Sequence, residues 1–283
     1  MTTSAKIIAD NLSADDIRIT TFEVTYPRFI MAELNTHRTI AKSSASSRAI
    51  PVAKRIHDVA AFPFIPAVFG KNMRGMQAEE VVSDREAAEA RQIWQELIST
   101  SIKAAILFEK LGVHKQLANR VLEPYAYATT VLTGTEWDNF FKLRNHPAAQ
   151  PEFQELARLM EEAYDSNVPY YNQNAHLPYI QPDEEHLDVA ILRRVSSARC
   201  ARVSYKSLET GKPSTIAEDE RLCIRLMEQG HMSPFDHVAT ADKLISREPD
   251  GKLSWERKED HRHFYGWIPY RVELEGLTPS RRF

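Results

Sequence analysis

Apolar positions along the chain fall into a few readable patterns. Residues 17–24 (IRITTFEV) are dense in β-branched and aromatic side chains and predict a strand. Tyr26-Pro27 interrupts it, and residues 28–34 carry apolar side chains toward a serine-rich stretch. Residues 61–74 hold two prolines and a glycine, which predicts an irregular loop with Phe62, Phe64 and Phe69 packed inward. Ser83-Asp84-Arg85-Glu86 has the SxxE form of a capping box, where Ser and Glu each satisfy a free backbone N–H. The long helix it opens carries Ile93, Trp94, Leu97, Ile98, Ile102, Ala105, Ile106 and Leu111 at helical spacing, and Gly112 can end it. A core helix is expected there.

Residues 113–132 predict a short helix broken near Pro124 and then a bend, and residues 137–144 a second helical piece. Pro151 suits a first helical turn, with Phe153, Leu156, Ala157, Leu159 and Met160 following at helical spacing. Residues 172–186 contain two prolines and few core types and are the expected linker. Thr215 and Glu218 form a second capping box, for a helix through Leu222, Ile224, Leu226 and Met227 to Gly230. Residues 191–205 mix apolar side chains with four arginines, and 252–283 mix charge with aromatics; neither pattern assigns an element. The expected organisation is a part at 1–171, a linker at 172–186 and a part at 187–283 packed into the same fold.

Composition narrows the class. The 283 residues are 43% hydrophobic and 27% charged, a soluble globular balance sufficient for one large or two modest domains. A net charge of -3 excludes a general polyanion surface, so no nucleic-acid partner is expected and any basic site must be local. The two cysteines, Cys200 and Cys223, form no CxxC, which disfavours a disulfide framework or a cysteine zinc site. The opening MTTSAKIIADNLSADD lacks a signal-peptide pattern, and no apolar run approaches the roughly 20 residues of a membrane helix. A cytoplasmic location without a membrane partner is the expectation. Neither GxGxxG nor GxxxxGK[ST] occurs, which argues against a Rossmann fingerprint or a P-loop.

Candidate chemistry concentrates in residues 31–51, MAELNTHRTIAKSSASSRAIP. His37 and Arg38 stand together, followed by Ser43, Ser44, Ser46, Ser47 and Arg48. Guanidinium and hydroxyl groups at this density suit phosphate, because Arg forms paired charged hydrogen bonds and Ser fills remaining acceptors. A polar turn or exposed helix start uses the same residues, and both readings stand at this point. His261 and His263 form an HxH pair with no third ligand nearby, so a packed or solvated pair is expected and no metal. Cys200 is expected to be a buried small hydrophobe. GHMSPFDH, residues 230–237, puts several hydrogen-bonding groups just past a helix end.

Three segments together resemble the flavin-dependent thymidylate synthases, the ThyX family. GHMSPFDHV resembles the family's GHxSPFEH, and SARCARVSY resembles its AARVSF. ANRVLEPYAYATTVLTGTEWDNFFKLRNHPAAQPEFQELA resembles its AR-VLP…NFLxLR…AQxEIxxxA segment, with Arg120, Pro124, Asn139, Phe140, Leu143, Arg144, Ala149, Gln150 and Glu152 at matching places. Residues 36–49 then align with the signature RHRxxSxNExSxRY. In the family the ARVSF and SPFEH segments precede that signature; here they follow the helical part. A permuted version of the fold is inferred, tolerable where chain ends lie close together.

The resemblance implies an α/β (α+β) fold with a mixed sheet and a long-helix bundle. It implies a homotetramer with shared active sites, and FAD bound without a Rossmann motif. It also implies conversion of dUMP to dTMP with methylenetetrahydrofolate and NADPH as co-substrates. Arg144 matches the arginine beside the pyrimidine ring and is the expected catalytic residue. Ser46, Arg48 and Arg120 match nucleotide contacts, and Glu33 and Ser44 stand at substrate-side positions. His37, Arg38, Asn139, Ser204, His231, Ser233 and Asp236 match or conservatively replace flavin-side positions. The departures are Thr36 for the first Arg of RHR, Ala41 for Ser, Ser43-Ser44 for Asn-Glu, Ala49 for Tyr and Glu33 for Gln. A carboxylate accepts from an amino group but receives no proton from a carbonyl, so Glu33 opens the alternative of dCMP or another pyrimidine, methylated or hydroxymethylated. A non-catalytic flavin- or nucleotide-binding protein is the remaining alternative.

Overall fold

β-Branched and aromatic density carries most of the sheet, and capped amphipathic runs carry the helices. The computed structural model describes residues 1–75, 77–78, 80–171, 173–203 and 214–277. In chain order the elements are β1 (Ser4–Leu12), β2 (Arg18–Pro27), α1 (Met31–Leu34), β3 (Ala41–Ser44), α2 (Val52–Ala61), α3 (Asp84–Lys110) and α4 (Lys115–Ala118). β4 (Tyr127–Gly134), α5 (Asp138–Arg144), α6 (Pro151–Ser166), β5 (Ala175–His176), α7 (Val189–Ala201) and α8 (Ile216–Glu228) follow. Last come β6 (Ala239–Ala241), β7 (Leu244–Arg247), β8 (Leu253–Trp255), β9 (Trp267–Pro269) and α9 (Tyr270–Leu277).

The principal sheet has the order β1-β2-β4-β3, with Thr21 opposite Thr133 and Ala41 opposite that same Thr133. Alternation along the strands gives it two faces. Phe22, Val24, Tyr26, Ala128 and Leu132 meet Trp137, Phe140 and Phe141 around α5, and Phe153, Leu156, Ala157 and Met160 of α6. Each such large side chain, fully buried, contributes about 1.5–3 kcal/mol relative to exposure. Ile19 and Ala41 on the other face pack with Ala239, Phe264 and Trp267 from the C-terminal part. A second sheet, β5-β6-β9, and the hairpin β7-β8 complete the strands. All named pairings are antiparallel; the parallel component of the expected mixed sheet is, among the described residues, an isolated bridge between Asn11 and Tyr170.

The helices pack in pairs: α2 with α3, α5 with α6, and α7 with α8. Both capping boxes form as the sequence predicts, at Ser83 with Glu86 and at Thr215 with Glu218. Gly112 and Gly230 sit just past α3 and α8 at φ of 73° and 69°, the left-handed conformation in which a side chain is strained.

Four expectations need correction. α3 is only half a core helix: Trp94, Ile98, Ile102 and Ala105 face Val59, Leu122 and Tyr125, whereas Ile93, Leu97, Leu107 and Leu111 stay exposed. Residues 127–134 form a central strand where a bend was expected, because pairing to both β2 and β3 outweighs the break at Pro124. Of the three loop phenylalanines, Phe64 is buried while Phe62 is 53% exposed. The 172–186 stretch was expected to lack core, yet it contributes β5, and His176 within it is fully buried.

Candidate functional site

Helix α5 ends on Arg144, and the turn after α1 presents His37. Arg144 Nε donates to His37 Nε2 at 2.8 Å, and its guanidinium carbon lies 4.5 Å from the centre of the Phe153 ring. The edge-on Phe140 ring, 4.9 Å away, supports the imidazole. Desolvation first, then the charges of Arg144 and Lys42, lower the His37 pKa to about 4, so the ring is neutral and its Nε2 accepts. Lys42 Nζ donates to the carbonyls of His37 and Ile40, and burial lowers its pKa to about 8. Arg144 is thus held by Nε alone, and among the described residues its Nη atoms carry no hydrogen bond.

The serine stretch divides between β3 and the loop after it. Ser44 Oγ lies 2.9 Å from Thr130 Oγ1, which is 2.8 Å from the buried Tyr26 hydroxyl. Ser43 Oγ is buried without a partner. Ser46 Oγ accepts from Arg48 N at 3.3 Å, and Arg48 itself is exposed. Ser47 Oγ donates to Glu123 Oε1 at 2.5 Å, and buried Asn119 donates to the carbonyls of Ser47 and Ile50 at 2.8 and 2.9 Å, pinning the loop. Glu123 also pairs with Arg28 at 3.1 Å and Arg120 at 2.9 Å. Burial would raise the Glu123 carboxyl, but Ser47, Arg28 and Arg120 outweigh it and hold the pKa below its ordinary value.

The GHMSPFDH stretch begins where α8 ends. Its 3-10 turn, Ser233–Asp236, packs against β3, which brings it to the serine strand. Asp236 meets Arg271 at 3.0 Å; burial raises its pKa and Arg271 opposes the rise. His231 and Ser233 are exposed, as are Arg38 and Asn139. Glu33 Oε2 is buried without a partner, and Thr36 Oγ1 donates to the Glu33 carbonyl at 2.7 Å. Ser204 lies outside the described residues.

Of the expected residues, His37 joins Arg144, and Arg120 meets Ser47 at Glu123, with Ser46 and the exposed Arg48 in the adjoining loop; among the described residues the others join neither pair. Four neighbours were not anticipated. Arg28 breaks an apolar run, and Arg55 shares the inward face of α2 with Val52 and Val59, an i, i+3, i+7 pattern in which a charge is a visible anomaly. Lys42 carries no such local signal, whereas His237 closes the GHMSPFDH segment without being singled out within it. His237 Nδ1 lies 2.8 Å from Thr133 Oγ1, which is 2.6 Å from Thr21 Oγ1, which is 2.7 Å from His176 Nε2; His176 Nδ1 then reaches Asn11 Oδ1 at 2.6 Å. With Asn11 Oδ1 accepting, each hydrogen bond is oriented in turn, and His237 Nε2 is left as a buried acceptor without a partner. Burial lowers both histidine pKa values to about 3, with the charges of His176, His263 and Lys42 adding to the effect at His237.

The other candidates resolve structurally. His261 Nε2 bonds Asp242 at 2.8 Å, away from any regular strand. Among the described residues no group of three or more metal-ligating side chains converges. Cys200 and Cys223 are buried, and burial raises both thiols, Cys223 to about 11. Among the described residues no helix is long and apolar enough to cross a membrane.

The fold is α+β, with a ring-supported arginine at the end of α5 and a serine-arginine loop after β3. Residues 17–170 match the model of the thymidylate synthase complementing protein family, and the chain belongs to that family. The match ends before the ARVSY and GHMSPFDH segments. Two similar solved structures are of a UMP/dUMP methylase, PolB, from Streptomyces cacaoi. The one bound with 5-Br dUMP is 20% identical, with 52% of this chain and 66% of that chain covered and a TM-score of 0.44. The one bound with 5-Br UMP is 16% identical, with 57% and 88% covered and a TM-score of 0.49. No curated protein matches the chain.

Proposed function

We propose that this protein transfers a one-carbon unit to C5 of a pyrimidine deoxynucleotide, most simply converting dUMP to dTMP with FAD bound and methylenetetrahydrofolate and NADPH as co-substrates. The observation that carries this reading is Arg144, fixed by a neutral His37 and the Phe153 face at the position where the family has its ring-contacting arginine. C5 must act as a carbon nucleophile, and the ring carbonyls must carry negative charge when hydride adds to the ring. A guanidinium held through Nε, with its Nη groups uncommitted, meets that charge without reorganising. Ser46, Arg48 and Arg120 supply hydroxyl and guanidinium donors for the phosphate.

The residues present fit a flavin. Ser43 Oγ, His237 Nε2 and His263 Nε2 are buried polar atoms without partners, and they suit a planar group rich in heteroatoms. His37, Arg38, Asn139, Ser204, His231, Ser233 and Asp236 are the side chains proposed to hold it. The flavin would supply the hydride chemistry, while the chain supplies position and field. A flavin spectrum in the purified protein, bleached by NADPH without oxygen, tests cofactor use. Tritium release from C5-labelled dUMP tests the reaction. Absence of both refutes the catalytic reading and leaves a binding protein.

Glu33 favours a second reading. Its Oε2 is buried and unpartnered, so it suits an amino-bearing ring such as cytosine. Tritium release from labelled dCMP supports that reading, and turnover of dUMP alone excludes it.

Self-association belongs to the same proposal. Ile93, Leu97, Thr100, Ala104, Leu107 and Leu111 recur at alternating spacings of four and three along α3, and four of them are exposed apolar side chains at 59, 46, 58 and 78%. Glu89 and Glu96 flank the first half of this seam, and Lys103 and Lys110 the second. A second copy laid antiparallel would set acidic half against basic half, which supports a homo-oligomer, a homotetramer by family likeness.

A further inference from the structure

Two arginines outside the family signature, Arg55 buried and Arg28 half-buried, lie beside the serine-arginine loop, and neither has its donors satisfied. Arg28 follows β2 directly; its Nη2 pairs with Glu123 at 3.1 Å, while its Nη1 is buried without a partner. Arg55 is 4% exposed; its Nη1 reaches the Tyr127 carbonyl at 3.4 Å, and its Nε is buried without a partner. Arg120 shares the same carboxylate. The next acid, Asp58, is held by Lys54 at 3.0 Å. Arg28 and Arg120 therefore share one carboxylate that Ser47 also occupies, and Arg55 lies close enough to feel its charge. Burial first, then the Arg28 charge, disfavours the charged form of Arg55, and the Asp58 and Glu123 carboxylates oppose this only in part, so the two guanidiniums stand close and repel.

Guanidinium stays charged in proteins, and a buried cation is stable only when paired and fully hydrogen-bonded. A purely structural arginine spends its fork on carbonyls and carboxylates. Here one donor on each of two neighbouring guanidiniums is idle, and the local charge is positive. A tetrahedral oxyanion supplies acceptors for both and neutralises the excess. We propose that Arg28 and Arg55 are phosphate ligands that extend the Ser46–Arg48 and Arg120 site inward, so that the nucleotide's phosphoryl group is seated against them. This rests on the nucleotide reading above, but binding does not require turnover.

The test is calorimetric titration of the full chain with dUMP, inorganic phosphate and deoxyuridine, for wild type, Arg28→Gln and Arg55→Gln. Each substitution should weaken dUMP and phosphate at least tenfold, leave deoxyuridine unchanged, and lower the slope of log affinity against log salt. Variants binding dUMP and phosphate within twofold of wild type overturn the proposal; a bridging water then fills the idle donors. Because Arg55 is buried, wild-type protein labelled with 15N at arginine provides a second measurement that needs no variant. Phosphate should shift the Nε–H resonances of Arg28 and Arg55, and unmoved signals at saturating phosphate overturn the proposal equally. Loss of C5 tritium release with arginine-dependent phosphate binding intact would sink the catalytic reading and spare this one.

Discussion

Acid should unfold this protein through two particular histidines. His176 and His237 are fully buried, are joined through Thr21 and Thr133, and have pKa values of about 3 against an ordinary 6.5. The unfolded chain therefore binds protons that the folded chain refuses between those two values. The stability this confers is whole above about pH 6.5 and is lost as pH falls toward the folded pKa values. At about 1.4 kcal/mol per pKa unit, each histidine accounts for an order of 5 kcal/mol over the whole window. Two together rival the roughly 5–15 kcal/mol that holds a typical domain, so unfolding should come well before pH 3 is reached. His37 and His263, lowered to about 4, act in the same direction but are partly solvated and count for less.

The assay is urea unfolding followed by tryptophan fluorescence, with Trp137 and Trp267 fully buried as reporters. Between about pH 6 and pH 4.5 the unfolding free energy should fall by about 2.7 kcal/mol per pH unit, the slope of two protons. His237→Asn keeps an N–H toward Thr133 and removes the titrating ring. It should cost about 1–2 kcal/mol at neutral pH and cut the slope by about 1.4 kcal/mol per unit. A wild-type slope below one proton, or an unchanged slope in His237→Asn, refutes the reasoning.

Three further outcomes follow from geometry. Arg144→Gln should lower the rate of C5 tritium release by about 10²-fold or more while the thermal midpoint stays near wild type, since the loss falls on the ring charge. Asp219, fully buried between Arg199 at 2.9 Å and Arg202 at 2.7 Å, should cost about 3–5 kcal/mol on Asp219→Asn, read as a lower urea midpoint. Leu107→Glu puts a charge in the α3 seam and should shift sedimentation toward the protomer without lowering the urea midpoint of the α3 packing, because Leu107 is 58% exposed.

Local signals were legible where local chemistry decides. Ser83 with Glu86 and Thr215 with Glu218 announce their helices because a capping box satisfies backbone donors within four residues. IRITTFEV announces β2 because its β-branched and aromatic density suits a strand buried on both faces. β4 was hidden: YATTVLTG follows a proline-broken turn, and its strand character comes from β2 and β3 on either side. In α3 the period was visible, but two apolar seams overlap in it. Trp94, Ile98, Ile102 and Ala105 point inward, while Ile93, Leu97 and Leu107 point outward, and periodicity alone merges them. Glu123 joins residues 28, 47 and 120, a convergence that no spacing in the sequence encodes.

Chain order matters less to this fold than face-to-face contact. The part that the family model matches supplies β2, β4 and β3 of the principal sheet, and residues 173–277 cover one face of it through side chains and edges. Thr133 bonds His237, Glu23 accepts from the Tyr179 hydroxyl at 2.6 Å, Trp267 Nε1 donates to the Ile17 carbonyl at 3.0 Å, and Tyr265 N donates to Thr135 at 2.9 Å. None of these contacts needs the two parts to be joined in a particular order, so segments rearranged along the chain can meet the same sheet. The consequence reaches the candidate site. Arg144 and His37 lie on the helix-packed side of β3, whereas His237 and the Ser233–Asp236 turn approach from the other side, with Lys42 and Ser43 on the strand between them. A ligand held by both groups must therefore pass the edge of β3, which stands at the end of the sheet order and pairs with β4 alone among the described strands.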